Sequence, residues 1–179
     1  MKRELVCIIP SRYESSRFPG KPLADLCGKP MIQHVYERVA RAKAVPYVAV
    51  ATDDERILNA VKNFGGNAVM TAKTHRSGTD RISEAVKTLH LSADAIVVNI
   101  QGDQPIFEPV QVDEVIEPLL NDQAIQMSTL IYKIILDAEI THPHAVKVVL
   151  DHQNFALYFS RATIPYVRDK NLKADYYKH

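Results

Sequence analysis

The sequence predicts a three-layer α/β protein, in which helices cover both faces of a mostly parallel sheet and antiparallel strands are added near the end. The first observation is that apolar strand-like runs alternate with amphipathic helical stretches through most of the 179 residues, as in strand–helix–strand units. The second is that the last third loses this alternation and contains successive strand-like runs. The third is that two chemically rich segments directly follow apolar strands, where ligands bind in parallel sheets.

The first half supplies the alternating elements. Residues 5–9 form an apolar run typical of a buried parallel strand, and apolar side chains at helical spacing predict a helix over 31–43. A second strand over 47–52 precedes a helix that ends at Gly65-Gly66. The pair Asp53-Asp54 stands just before that helix, and we interpret it as a helix cap rather than as a second pair of catalytic carboxylates.

The following segments complete the parallel part of the predicted sheet. Residues 68–71 form a short strand, a helix covers 79–90, and residues 95–100 form a fourth, apolar strand. The stretch Ser77-Gly78-Thr79-Asp80 places a hydroxyl three residues before a carboxylate. This spacing predicts a capping box at the start of the third helix.

The last third is predicted to add antiparallel strands after one more helix. That helix begins at Pro109, and Pro118 should bend it or end it early. Residues 151–154 form a turn between strand-like runs, whereas the polar tail 169–179 is expected to end without a closing strand or helix. We expect one domain over 1–179. The strand-like segments are residues 127–136, 145–150 and 155–160.

Composition argues against several classes of function. Lys and Arg total 22 and Asp and Glu total 21, a net charge of +1, so no global field attracts nucleic acid or a membrane surface. Tryptophan is absent and aromatic residues make up 7%, which disfavours a stacking platform for single-stranded nucleic acid.

Cys7 lies in the first apolar run and is expected to be a small core residue. With no spanning segment or signal peptide in the sequence, we expect no membrane insertion and a cytoplasmic location.

The segment 10–22 follows the first strand and concentrates cations, hydroxyls and prolines. Arg12, Arg17 and Lys21 supply charge for phosphate oxygens. Ser15 adds a hydroxyl, and free backbone N–H groups of such a loop can form an anion-binding concavity. The segment is not a Walker A loop, because that motif needs a glycine five residues before its Gly-Lys pair and Ser or Thr after it. We therefore predict a phosphate-binding loop of another kind.

A second segment, Asn99-Ile100-Gln101-Gly102-Asp103, follows the fourth strand. The carboxylate of Asp103 on a glycine turn is well placed to hold Mg²⁺, which typically takes one or two carboxylates together with water and phosphate oxygens. A basic loop and an acidic turn at one edge of a sheet predict metal-assisted chemistry on a nucleoside triphosphate. The alternative that Asp103 only satisfies its own turn stays open at this point.

Several motifs, in order from residue 8 to residue 166, resemble one enzyme family. The most specific are Ser77-Gly78-Thr79-Asp80-Arg81 and Tyr158-Phe159-Ser160-Arg161 with Ile164-Pro165. Together they resemble the 3-deoxy-manno-octulosonate (Kdo) cytidylyltransferases, whose nucleotide-diphospho-sugar transferase-like fold has a Rossmann-like sheet. The first loop alone resembles several sugar nucleotidyltransferases. The other matching segments are residues 8–12, 18–23, 28–32, 51–53, 98–103 and 146–149.

The resemblance implies the reaction of CTP with Kdo to give CMP-Kdo and pyrophosphate, which activates the sugar acid for lipopolysaccharide biosynthesis. It implies Mg²⁺ as the cofactor and CTP and Kdo as the small-molecule partners. Of the implied site residues, Lys21, Arg12 and Asp103 are expected to be catalytic. The implied contacts are Arg12, Ser15, Arg17, Lys21 and Ser77 for CTP, Asp103 for the metal, and Gln101, Arg161 and His179 for the sugar acid.

Two departures from the family pattern leave alternatives open. Many members have Glu where Gln104 stands, and the family continues beyond His179 with a second metal-binding Asp and much of a homodimer interface. We therefore expect a nucleotidyltransferase domain that is incomplete at its C-terminal end. The alternatives are a related sugar nucleotidyltransferase, such as one for sialic acid, and a nucleotide-binding fragment without turnover.

Overall fold

The structure, a computed structural model, describes residues 3–14, 18–169, 171–172 and 174–179. Its internal contacts divide the chain into two compact units, Met1–Gln126 and Met127–His179. A single domain over 1–179 stays a prediction. Within the described ranges, no helix combines the length and the apolar character needed to cross a membrane.

The first unit contains the alternating strands and helices that the sequence predicts. A 3₁₀ turn over Lys21–Leu23 ends the basic loop. In chain order the other elements are β1 (Leu5–Ser11), β2 (Asp25–Leu26), β3 (Lys29–Pro30), α1 (Met31–Val39), β4 (Val48–Thr52), α2 (Glu55–Asn63), β5 (Asn67–Met70), α3 (Gly78–Thr88), β6 (Ile96–Asn99) and α4 (Pro109–Asn121).

The main sheet has four parallel strands in the order β5-β4-β1-β6. The chain steps outward from β1 to β4 and β5, then crosses back to place β6 on the other side of β1. Because such crossovers are right-handed, the reversal of direction moves the crossing helix to the opposite face. Helix α3 accordingly packs on one face, and α1, α2 and α4 pack on the other. The predicted three-layer α/β class is confirmed.

Strand β1 is buried along its whole length, so its alternate side chains enter the two halves of the core. Cys7 and Ile9 pack with α1, α2 and α4, while Val6 and Ile8 pack with α3. Burial raises the pKa of the Cys7 thiol to about 12, as expected for a small core residue without redox or metal chemistry.

The second unit is built on an antiparallel sheet of order β7-β10-β8-β9. The turn after β8 returns the chain into β9, and the two strands pair antiparallel as predicted. The elements of this unit are β7 (Tyr132–Lys133), α5 (Asp137–Thr141), β8 (Lys147–Leu150), β9 (Ala156–Ser160) and β10 (Tyr177–Lys178).

The prediction that the tail lacks a closing strand is wrong. Tyr177 and Lys178 form β10, which pairs with β7 on one side and β8 on the other. The long strand predicted over 127–136 is also wrong, since only Tyr132–Lys133 is a strand. Both errors concern pairing with neighbouring strands, which the composition of a segment does not determine. The strand β10 forms between β7 and β8, and because it offers only two residues, its pairing with β7 covers two residues as well.

Pro118 does not end its helix early, because α4 continues to Asn121. A proline inside a helix removes one N–H donor and leaves the carbonyl four residues earlier without its helical partner. That earlier residue is Glu114, which is exposed on the helix surface. The packing of Val112 and Ile116 in the core holds the helix on the sheet despite the missing bond.

Lys147 is the largest fully buried side chain among the described residues. Its ammonium donates three hydrogen bonds to backbone carbonyls, those of His142 at 3.0 Å, Ala145 at 2.7 Å and Arg161 at 2.7 Å. An ammonium has three donors, so three carbonyls satisfy it completely. This side chain therefore ties the segment before β8 to the segment after β9.

We expect Lys147→Met to destabilise the protein by about 2–4 kcal/mol, because it leaves buried carbonyls without partners. The free energy of unfolding, measured in urea, tests this. Lys133→Met is the matched control. It removes an ammonium that is 55% exposed and pairs with Asp175 on the surface, so it should change stability by less than about 1 kcal/mol. Equal effects of the two substitutions would contradict the role given to Lys147.

Candidate active site

The site lies where the loops after β1 and β6 leave the sheet. These strands are parallel neighbours, so both loops emerge at the same edge. The chain also reverses its direction across the sheet between them, and such a switch point is where doubly wound sheets bind ligands. The basic loop follows β1, and the acidic turn at 101–104 follows β6.

The two loops meet through Lys21 and Asp103. The Lys21 ammonium donates a hydrogen bond of 2.8 Å to Oδ2 of Asp103, and the side chains are 37% and 55% exposed. The predicted proximity of the basic loop and the acidic turn is therefore confirmed. A pair this exposed adds little to stability. Its importance is that it places a cation and a carboxylate together at the switch point.

Gly102 allows the acidic turn to press against the end of β1. A Cβ at this position would lie 3.2 Å from the carbonyl oxygen of Pro10 and 3.5 Å from Oγ of Ser11. A residue with a Cβ would require the Pro10 carbonyl to shift by a few tenths of an ångström, so glycine suits the close packing of the turn on β1. The Ser11 hydroxyl beneath the turn is buried and has no hydrogen-bond partner among the described residues.

The other predicted residues of the first unit lie around this pair or outside the described residues. Arg12 directly follows β1 and is exposed. The Gln101 amide group donates a hydrogen bond of 2.9 Å to Oδ1 of Asn99. Ser15 and Arg17 fall in the part of the loop that the structure does not describe.

Ser77 begins α3 with the capping box predicted from the sequence. Its hydroxyl accepts a hydrogen bond from the Asp80 N–H at 3.1 Å, and the Asp80 carboxylate accepts from the Ser77 N–H at 3.2 Å. A Cβ on Gly78 would lie 3.2 Å from the Pro10 ring and 4.0 Å from Oε1 of Gln101. The start of α3 thus lies against the end of β1, beside the acidic turn.

Arg81 is a buried residue of the site region that the sequence analysis missed. Only 3% of it is exposed, and it pairs with Asp53 at 2.6 Å and donates a hydrogen bond to the Thr71 hydroxyl. The cap interpretation is correct for Asp54, which accepts from the Arg56 N–H at 2.9 Å. It is wrong for Asp53, whose carboxylate neutralises Arg81. The sequence feature that could have revealed this pair is the arginine, because a cation on the buried face of a helix needs a partner of opposite charge.

In the second unit, Arg161 and His179 both lie near the segment before β8. Arg161 donates a hydrogen bond of 2.7 Å to the Pro143 carbonyl. His179 contacts the Thr129 hydroxyl at 2.9 Å and lines a cavity of about 270 Å³. The other residues that line this cavity are Glu139, His142, His144, Ala145 and Lys178.

The chain is similar to a family of enzymes over almost its whole length. The family model described as cytidylyltransferase matches residues 6–179. A 3-deoxy-manno-octulosonate cytidylyltransferase of Syntrophus aciditrophicus is 68% identical over 98% of this chain and 71% of its own length. An 8-amino-3,8-dideoxy-manno-octulosonate cytidylyltransferase of Shewanella amazonensis is 51% identical over 96% of this chain and 70% of its own length. A solved structure of CMP:2-keto-3-deoxy-manno-octonic acid synthetase complexed with CTP is 47% identical, with a TM-score of 0.92 over 98% of this chain and 71% of that one.

A cation and a carboxylate at the switch point of a parallel sheet, beside a basic loop, fit a nucleotidyltransferase, and the relatives show that this is the class of the protein. The relatives narrow this class. The chain belongs to the cytidylyltransferase family, and the resemblance to its 3-deoxy-manno-octulosonate members drawn from the sequence is confirmed. The roles of the individual site residues stay predictions.

We expect Arg81→Met to destabilise the first unit by about 3 kcal/mol, because it leaves the carboxylate of Asp53 without its partner. The double substitution Asp53→Asn with Arg81→Met should recover part of this loss, since the unpaired charge is then gone. Thermal melting followed by circular dichroism measures both effects. Arg41→Met, which changes an exposed arginine, is the control. A melting temperature unchanged by Arg81→Met would contradict a structural role for the pair.

Proposed function

We propose that this protein transfers CMP from CTP to 3-deoxy-manno-octulosonate and releases pyrophosphate, supplying an activated sugar acid for lipopolysaccharide biosynthesis. The Lys21–Asp103 pair at the switch point carries the proposal. We assign Lys21 to the phosphates of CTP and Asp103 to a metal ion, and the similarity to a structure complexed with CTP supports this choice of nucleotide. The named function of the relatives supports the choice of sugar.

In this reaction a sugar hydroxyl oxygen bonds to the α-phosphorus of CTP, and the bond from that phosphorus to the β-phosphate oxygen breaks. Pyrophosphate leaves with the bonding electrons, and the hydroxyl proton passes to solvent or to a nearby base. Catalysis then consists mainly of aligning the two oxygens and neutralising negative charge. Lys21 and Arg12 would provide that charge at the departing phosphates, with Ser15 and Arg17 in the same loop and Ser77 beside the nucleoside.

Asp103 fits the carboxylate ligand of a Mg²⁺ ion. It is exposed at the site, and Mg²⁺ in phosphoryl chemistry needs only one or two carboxylates because substrate oxygens and water complete its shell. No group of three or more His, Cys, Asp or Glu side chains arranged to hold a metal occurs in the described part of the chain. This donor set therefore suits an ion that arrives with the nucleotide. When bound, the ion would supply positive charge at the phosphates.

The same two groups would have new partners in the complex. In the structure, Lys21 and Asp103 neutralise each other. When CTP binds with its cation, the ammonium would turn to the phosphates and the carboxylate to the metal. Lys21 would exchange the carboxylate for phosphate oxygens, and Asp103 would exchange the ammonium for the metal ion. Because each group keeps a partner of opposite charge, breaking the ion pair would cost little free energy.

Asp103→Asn should separate nucleotide binding from turnover. The amide cannot neutralise Lys21, so CTP without Mg²⁺ should bind at least as tightly as to the unchanged protein, whereas Mg²⁺ should no longer tighten binding. Pyrophosphate release should fall at least about 100-fold. Calorimetric titration with CTP, with and without Mg²⁺, and a pyrophosphate assay check this. Full turnover in the variant would remove Asp103 from the mechanism.

Lys21→Met is the complementary change. It should weaken CTP binding and lower kcat by about 10²–10³, because a group that stabilises the departing pyrophosphate is lost. Lys73→Met, at an exposed loop position, is the control for removing one ammonium. A normal rate in Lys21→Met would mean that Lys21 is only a solvated surface residue.

In the second unit, Arg161 and His179 are the residues that we assign to the sugar acid. A guanidinium suits a carboxylate because its fork of donors matches the two oxygens. Nη1 of Arg161 donates a hydrogen bond to the Pro143 carbonyl, which orients the guanidinium. The guanidinium has further N–H donors that a carboxylate can accept from. The cavity lined by His179 also contains two further histidines, together with Glu139 and Lys178, which pair with each other. Histidine nitrogens can bond to the hydroxyls of a sugar.

The relatives are named for two different sugar substrates, so the choice of sugar acid can be tested directly. We expect pyrophosphate release with CTP to be fastest with 3-deoxy-manno-octulosonate and slower with its 8-amino-8-deoxy analogue and with sialic acid. Preference for either of the others would replace the sugar in this proposal. CTP binding without turnover on any of them would favour a nucleotide-binding fragment.

We further propose a homodimer that works in the cytoplasm, where CTP is made. The apolar side chains exposed on and around β9 support association. They include Phe155, Leu157 and Tyr158, and exposed apolar patches favour protein contacts. Sedimentation equilibrium should give a mass of two chains.

A further inference from the structure

In the basic loop over residues 10–22, which is the predicted phosphate loop, Tyr13 near one end meets Gly20 near the other. The Tyr13 carbonyl accepts a hydrogen bond of 2.8 Å from the Gly20 N–H. Gly20 has a φ of +74°, and a Cβ there would lie 3.1 Å from ring atoms and the hydroxyl of Tyr13. A glycine therefore serves both the backbone conformation and the close approach to the ring. Lys21 is the next residue, so its position depends on this closure.

Arg56 contacts the same ring from the start of α2. Its guanidinium carbon lies 3.3 Å from the centroid of Tyr13, well within the range of a cation–π interaction. Asp54 fixes the guanidinium with two hydrogen bonds, Nε to Oδ1 at 2.9 Å and Nη2 to Oδ2 at 2.7 Å. The hydrogen bond from the Arg56 side chain lowers the pKa of Asp54, so this carboxylate is charged at neutral pH.

These contacts form a continuous connection from α2 to the phosphate loop. Asp54 caps the helix and holds Arg56, Arg56 lies on Tyr13, and Tyr13 closes the loop on Gly20. Because Asp54 already neutralises Arg56, the arginine adds little net charge for an anion. What it can supply is orientation of the ring and, through the ring, of the loop.

We propose that Arg56 and Tyr13 are positioning residues that hold Gly20 and Lys21 in place for CTP. The inference rests on the proposed function, because CTP is the ligand that Lys21 is expected to meet. Residues already held in place lose less conformational freedom when the nucleotide binds, and preorganisation of this kind raises affinity. Neither side chain needs to touch the reacting atoms.

A purely electrostatic role for Arg56 makes a different prediction. A charge acting at a distance would contribute equally whether or not the ring of Tyr13 is present. A positioning residue that acts through the ring loses its effect when the ring is removed. The coupling between the two substitutions therefore distinguishes the two roles.

The test is calorimetric titration of the purified protein with CTP. Tyr13→Leu and Arg56→Gln should each weaken binding about 3- to 10-fold, the range expected for one partly exposed cation–π contact, and the double variant should be no weaker than either single one. Tyr13→Phe keeps the ring, and Lys62→Gln removes a charge from the other end of α2, so both should bind normally. Additive losses, or normal binding by Tyr13→Leu, would overturn the proposal.

Amide hydrogen exchange without any ligand gives an independent readout. The Gly20 N–H should exchange faster in Tyr13→Leu and in Arg56→Gln than in the two controls, because the loop opens more often. Unchanged exchange would overturn the proposal. If the unchanged protein fails to bind CTP while Gly20 exchange responds as expected, the proposed function is wrong and the connection through Tyr13 stands.

Discussion

The site depends on strand β1 being held on both edges and both faces. Its edges pair with β4 and β6, and its side chains are buried in both halves of the core. A strand fixed in this way cannot slip by one residue, because every side chain would change faces. The basic loop therefore starts from an immobile point, and Gly102 lets the acidic turn rest on that same point. Most of the precision of the site comes from this one strand.

The positive charges around the site differ in how firmly they are paired. Arg81 is almost completely buried against Asp53, so its pair belongs to the framework. Lys21 is over one third exposed, and its pair with Asp103 is accessible to a ligand. Burial thus separates the cations that hold the site from those that can meet a substrate.

The sequence predicts what depends on local spacing and on the rules of parallel sheets. The cap at Asp54 follows from neighbouring residues, and the meeting of Lys21 with Asp103 follows from two loops at one sheet edge. The partner of Arg81 could not be predicted, because it is 28 positions away in the chain and no local pattern encodes that distance. The strand at Tyr177 was missed for a similar reason: its formation depends on two neighbouring strands rather than on its own composition.

The anchoring of Lys147 has a consequence for how this fold can vary. The lysine binds backbone carbonyls of three residues and no carboxylate. Carbonyl groups are present whatever side chain a residue carries, so His142 and Ala145 can be exchanged without removing the acceptors that hold their segment. Both residues line the cavity of the second unit. The side chains that Lys147 leaves untouched on this wall of the cavity can therefore change while the backbone that carries them stays in place.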